Sequence, residues 1–327
     1  MTTRRSIRVL TWPDYIDPRS LREFEAEFGV AVELSTVVSS AELVERMRLN
    51  SAHVDVLVPP DYAVRELDAI HRLDILDHNR LTNLRHIEAR FRKERPYDPG
   101  SRISVVKDWG TTGFIYRSDI VDGTPRSWAD FWKLAGQHSG RVTVFDSPTE
   151  VIGAALKLRG HSFYSSDPAE LDQARTDLLR LKPHLLAFET DYKHLLASGD
   201  ACLSLGWNGD AATLRAQGLP VTYVIPTEGS QLWEDAWAVP RAAPDTRTAH
   251  LFINFMLRPD IAAQEARYSR YATPNRTALA LLDEDVRTDP AIYPPPEILA
   301  RLESAVPMDP EGLARRAAVW SEIRGPH

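Results

Sequence analysis

The chain contains a single cysteine, Cys202. No internal disulfide is available to it, and zinc sites built on paired cysteines are excluded. Cys202 lies in the apolar run Ala201-Cys202-Leu203-Ser204-Leu205, so a buried strand thiol is favoured over a nucleophile. No stretch approaches the roughly 18 to 20 apolar residues that a membrane span needs. A basic excess is missing as well. The net charge of −7 disfavours a nucleic-acid partner, which would require a face that neutralises phosphates. There is no P-loop, no G-x-G-x-x-G, no H-E-x-x-H and no G-x-S-x-G. The histidines are scattered, and His184 and His194 are too far apart to read as a ligand pair. No metal, no cofactor and no nucleophile–base pair is expected, which argues against an enzyme.

What is present is an ordinary soluble globular composition over 327 residues, long enough for about two domains. Near the start, Arg4-Arg5 resembles the pair of a twin-arginine export signal. No apolar segment or small-residue cleavage site follows it, and Ile7–Thr11 reads instead as a first strand. Strand-like and helix-like segments then alternate. Strands are predicted at Ile7–Thr11, Val30–Ser35 and Val54–Val58, with helices from Pro18 to Phe28, from Ser40, and from Tyr62 to Ile70. Such an order implies a parallel sheet covered on both faces, with ligands at the carboxyl ends of its strands. The loops to search are therefore Trp12-Pro13-Asp14-Tyr15 and Pro59-Pro60-Asp61-Tyr62. The small residues around Asp108-Trp109-Gly110-Thr111-Thr112-Gly113 suggest a crossover to a second alternating block. In that block, strands are predicted at Arg141–Phe145, Ala201–Leu205 and Val221–Ile225, and helices at Glu150–Leu158, Pro168–Arg180 and Asn208–Gln217.

An aromatic residue recurs beside an acid at these strand ends. Trp12 precedes Asp14 and Tyr15, Asp61 precedes Tyr62, Trp207 stands three residues before Asp210, and Trp233 precedes Glu234 and Asp235. Any one pair is explained by core packing and helix capping, Asp210 being well placed for the macrodipole of its own helix. Their joint occurrence points further. Aromatic faces attract cations, carboxylates form charge-assisted hydrogen bonds to ammonium groups, and ring bodies suit a methylene chain. Aromatic walls with acids at both ends match a linear alkyl polyamine.

The chain resembles, over nearly its whole length, the periplasmic polyamine-binding proteins of bacterial ABC importers. The resemblance rests on Thr11-Trp12-Pro13-Asp14-Tyr15-Ile16, Asp55-Val56-Leu57-Val58-Pro59, Asp146-Ser147-Pro148-Thr149-Glu150-Val151, Gly206-Trp207-Asn208-Gly209-Asp210 and Trp233-Glu234-Asp235. Phe252 to Asp260, Tyr271-Ala272-Thr273-Pro274-Asn275 and Ile292-Tyr293-Pro294-Pro295 add to it. It implies an α/β protein with the type II periplasmic binding fold, two α/β lobes joined by a hinge with a ligand cleft between them. The expected division is 1–110 for the first lobe and 111–235 for the second, with 236–275 returning to the first and 276–327 forming a helical segment packed on the second. The resemblance further implies that Trp12, Tyr15, Trp207, Trp233 and Tyr271 form an aromatic box. Asp14, Asp210 and Asp235 would neutralise ammonium groups, Glu150 would serve the other end of the ligand, and Tyr62 would be a further cleft position. A periplasmic monomer that delivers putrescine or spermidine to a membrane permease is implied.

Three residues depart from the family pattern. Pro13 and Pro60 stand where hydroxyl residues are usual, and Ser147 stands where spermidine-type members carry an aspartate. Asp210 resembles the putrescine-type layout and Trp233 the spermidine-type. The alternative is the same fold binding another solute, such as an opine or amino-acid derivative, with Arg270 as the candidate for a ligand carboxylate.

Overall fold

The structure is a computed structural model and describes residues 5–49, 53–306 and 308–325; most of the segment that carries Arg4-Arg5 lies outside the described residues. Among the described residues are strands β1 (Ser6–Thr11), β2 (Ala31–Thr36), β3 (Val56–Leu57), β4 (Ser104–Arg117), β5 (Val142–Val144), β6 (Leu185–Phe188), β7 (Leu203–Trp207), β8 (Val221–Val224), β9 (Ser230–Ala238) and β10 (Leu302–Glu303). They belong to two units. The first comprises residues 1–109 and 233–288, the second 110–232 and 289–327.

In the first unit, β1 pairs in parallel with β2 from Ser6↔Ala31 to Thr11↔Thr36, and with β3 through Val9↔Val56 and Leu10↔Leu57. β9 adds antiparallel to β3 at Leu57↔Ala238. This register brings the ends of β1 and β3 to one edge. Because β9 runs the other way, its residues Trp233–Asp235 lie at that edge too, where Asp235 bridges Pro60. The helix Pro18–Phe28 shows how local signals fix an element. Asp17 accepts the Arg19 N–H, Pro18 takes the first helical position, and Gly29 closes the helix at φ 67°. Leu10, Leu43, Leu57, Val64 and Ala236 fill the core beneath this edge.

In the second unit, β4 pairs antiparallel with β7 and with β8. β5 runs parallel to β7 and β6. The ends of β5 and β7 share an edge, and the helices Pro148–Leu158 and Asn208–Ala216 begin just beyond them. Cys202 is buried at the start of β7, within a core that includes Phe114, Trp128, Phe131, Ile152 and Leu203.

One expectation takes a definite structural form and another is corrected. The small-residue stretch expected to be a crossover does carry the chain from the first unit to the second, between Trp109 and Gly110, and it does so inside a 14-residue strand. Its Gly113 is required by close approach and not by a turn, since a Cβ there would lie 2.2 Å from the Val224 carbonyl oxygen of β8. The boundaries also move. Residues 233–235 belong to the first unit, as do 276–288, whose helix Arg276–Leu279 packs on Pro259–Ser269.

Candidate functional site

Seven of the ten expected site residues fall in the first unit, and five of them, Trp12, Tyr15, Trp233, Asp235 and Tyr271, belong to one aromatic group with an acid. Tyr271 stands between two of them, edge-on to Trp233 with ring centroids 4.9 Å apart and 6.0 Å from Tyr15. Asp235 is buried. Desolvation first, and then the charge of Asp108, push its carboxyl up to about 7, against the pull of the Tyr15 hydroxyl, Lys107 and the Trp12 indole. The indole N–H of Trp233 is a buried donor that closes no hydrogen bond. Asp235 is thus a buried acid beside aromatic side chains, with a second acid, Asp108, near it.

The neighbouring acid in the Trp233-Glu234-Asp235 run is employed differently. Strand alternation sends Glu234 to the opposite face of β9. There it accepts a short hydrogen bond from Tyr97, whose hydroxyl also accepts from buried Arg95 at 2.8 Å. Burial raises the Glu234 carboxyl, and Arg95 is the largest opposing influence.

Asp14 and Tyr62 stand apart. Asp14 is exposed, in the left-handed region at φ 52°, a conformation that aspartate tolerates. Tyr62 packs with Trp12 against the core, and its hydroxyl is bonded to Ser40 Oγ at 2.6 Å. Tyr15 is more committed than the sequence suggests. Its hydroxyl donates to Asp108 Oδ1 at 2.5 Å, and Lys107 Nζ lies 3.9 Å from its ring centroid. Lys107, Asp108 and Glu265 are buried polar residues that sequence reasoning missed. Apart from the Lys107–Asp108 contact, their partners lie far along the chain, so no local motif marks them.

The second unit holds the remaining three. Trp207 stacks on Phe145 with centroids 4.3 Å apart and planes at 19°. Its amide N–H donates to the Tyr192 hydroxyl oxygen at 3.0 Å, and that hydroxyl donates to Asp210 Oδ2 at 2.9 Å. One tyrosine thus ties the aromatic platform to the acid. Asp210 also meets Lys193 Nζ at 3.2 Å, through a lysine side chain 42% exposed. Such a partly exposed pair contributes little, so Lys193 restrains Asp210 only weakly. Glu150 lies in the first turn of its helix and is buried. Ser147, at the N-cap, makes no capping hydrogen bond to the backbone because its hydroxyl donates to the Glu150 carboxylate. Burial raises the Glu150 carboxyl, while Ser147 and, less strongly, Arg316 oppose the shift. Among the described residues no cluster of histidine, cysteine and acids is suited to a metal ion, and no helix is long and apolar enough to cross a membrane.

Comparison with known proteins gives this arrangement a context. A family profile described as bacterial extracellular solute-binding protein matches residues 20–294. The "spermidine/putrescine-binding periplasmic protein" of Salmonella typhimurium is 33% identical over 295 residues, covering 89% of this chain and 84% of the relative. The solved "spermidine/putrescine ABC transporter substrate-binding protein" of Streptococcus pneumoniae superposes with a TM-score of 0.85 at 30% identity, covering 98% of this chain and 100% of that one. A binding protein of A. tumefaciens B6 in complex with glucopine, 17% identical with a TM-score of 0.78 over 98% of this chain and 99% of that one, shares the fold alone. The mixed α/β architecture is therefore that of the periplasmic binding proteins. Within that class, the chain belongs to the bacterial extracellular solute-binding protein family.

Proposed function

We propose that this protein is the receptor of an ABC importer, which captures a polyamine of the putrescine or spermidine kind in the periplasm and presents it to a membrane permease. The observation that carries the reading is Asp235, a buried carboxyl beside Trp12 and Tyr15, with Tyr271 and Trp233 continuing the aromatic group from Tyr15. An ammonium group would satisfy the acid by a charge-assisted hydrogen bond and the rings by cation–π attraction, together worth about 2–5 kcal/mol. Within the second unit, Trp207 stacked on Phe145 beside Asp210 offers chemistry of the same kind, an aromatic face next to an acid. Asp14, exposed, has a lesser role. The names of the curated relatives support the solute class.

Thermal unfolding tests the reading, since a ligand bound only by the folded state raises the midpoint. Putrescine, cadaverine, spermidine and spermine are compared. A rise of several degrees with at least one is expected. No rise with any at millimolar concentration would contradict the reading.

One observation favours a second reading, a zwitterionic solute such as an opine or amino-acid derivative. Arg270, adjacent to Tyr271, adopts a left-handed conformation at φ 62° and has no ion-pair partner among the described residues. A shift with such a solute that disappears in Arg270→Ala, alongside none with polyamines, would decide for it.

A further inference from the structure

The first unit already contains an ammonium group surrounded as a bound amine would be. Lys107 Nζ donates to Asp108 Oδ2 at 2.7 Å and lies 3.9 Å from the Tyr15 ring centroid. The Trp237 ring is 5.8 Å away, and Glu265 Oε2 is at 3.9 Å. The lysine side chain is 3% exposed, so this cation has exchanged water for two aromatic faces and two carboxylates. Glu265 is fixed by other means. Its Oε1 accepts from the Asp17 N–H at 3.1 Å and from Ser20 Oγ at 2.6 Å, which leaves Oε2 directed to Lys107 without a hydrogen bond. A water-sized cavity adjoins the group, lined in part by Lys107, Trp237, Glu265 and Asn275.

We propose that Lys107 is a resident ammonium filling an amine subsite built from Tyr15, Asp108, Trp237 and Glu265, and that it thereby determines how much ligand charge the first unit accepts. Asp108 is neutralised from within and one face of Tyr15 is covered. The acid left for an incoming amine is Asp235, so the unit takes a single ammonium where it would otherwise offer two subsites. This consequence for specificity rests on the amine-receptor reading; the subsite itself does not.

Chemical rescue tests the subsite. Lys107→Ala removes the ammonium and the carbons beyond Cβ, which n-propylammonium replaces atom for atom and propan-1-ol mimics in shape without charge. The variant is expected to melt lower than the native protein and to regain most of the lost midpoint with millimolar n-propylammonium but not with propan-1-ol. Absence of rescue, or equal rescue by the alcohol, would overturn the proposal. Should Lys107→Ala fail to fold, Lys107→Met is compared with Lys107→Met/Asp108→Asn. A counter-ion role requires the double variant to be the more stable, and a double variant no more stable than the single would refute it. Native protein titrated with polyamines in parallel separates the two claims. Rescue without polyamine binding leaves the subsite and removes the receptor reading, while polyamine binding without rescue does the reverse.

Discussion

Replacing Asp235 by asparagine should stabilise the ligand-free protein at pH 8, although the residue is buried and surrounded by hydrogen-bonding groups. The folded-state carboxyl lies at about 7, against 3.8 for an unperturbed aspartate. An acid raised on folding holds its proton more tightly in the native state. It therefore costs nothing below the unfolded value, and the cost grows as pH climbs from about 4 to about 7. Roughly 3 pH units at about 1.4 kcal/mol each give a ceiling near 4 kcal/mol at pH 8. Asparagine removes that cost but sets an amide NH2 against the Trp12 indole donor, which returns about 1 kcal/mol. A net gain of roughly 2–3 kcal/mol would raise the melting point of the first unit by several degrees. Differential scanning calorimetry of native and Asp235→Asn protein at pH 8 and pH 4 is the assay. The variant should melt higher at pH 8, and the advantage should vanish at pH 4. A variant less stable than native protein at pH 8 would show that Asp235 is already neutralised and refute the reasoning about the site.

The same carboxyl predicts that polyamine affinity falls as pH drops below about 7. The loss should be close to tenfold per pH unit, because binding must expel a proton from Asp235; titration calorimetry in buffers of differing ionisation enthalpy would register the release. Arg316→Ala should cost about 2–4 kcal/mol in the second unit, since this buried guanidinium donates to the carbonyls of Thr149, Phe163 and Ser165. Chemical denaturation measures that loss, and polyamine affinity should fall with it as the turn bearing Glu150 loosens. Gly113→Ala should cost about 3 kcal/mol or more, because its methyl would meet the Val224 carbonyl at 2.2 Å; the soluble yield and melting point report it.

Much of the fold was readable because local chemistry agrees with tertiary packing. Pro18 and Gly29 bound the first helix in the chain and in the structure alike, and the structure adds the Asp17 cap. The strand-end loops were found by the same logic, since parallel pairing of β1 with β3 carries Trp12 and Pro60 to one edge. The errors lie where one local signal has two physical meanings. A glycine in isolation can signal a turn, yet Gly113 answers the close approach of β8, a contact between residues 113 and 224 that no window reveals. The Trp233-Glu234-Asp235 run presents two acids to a reader of sequence, and the pleat of β9 gives only Asp235 to the aromatic cluster. Lys107 escaped notice for a related reason. It appears an ordinary residue of an apolar strand, and its meaning comes from Tyr15 and Glu265, far away along the chain.

The central claim is that this family member binds a polyamine through Asp235. Titration calorimetry of native protein and Asp235→Asn with putrescine and spermidine at pH 8 tests it most directly. Saturable one-to-one binding of at least one amine is predicted for native protein, with affinity lowered about tenfold to a hundredfold or lost in Asp235→Asn, as expected for one charge-assisted hydrogen bond. No binding of either amine, or equal affinity in the variant, would contradict the account.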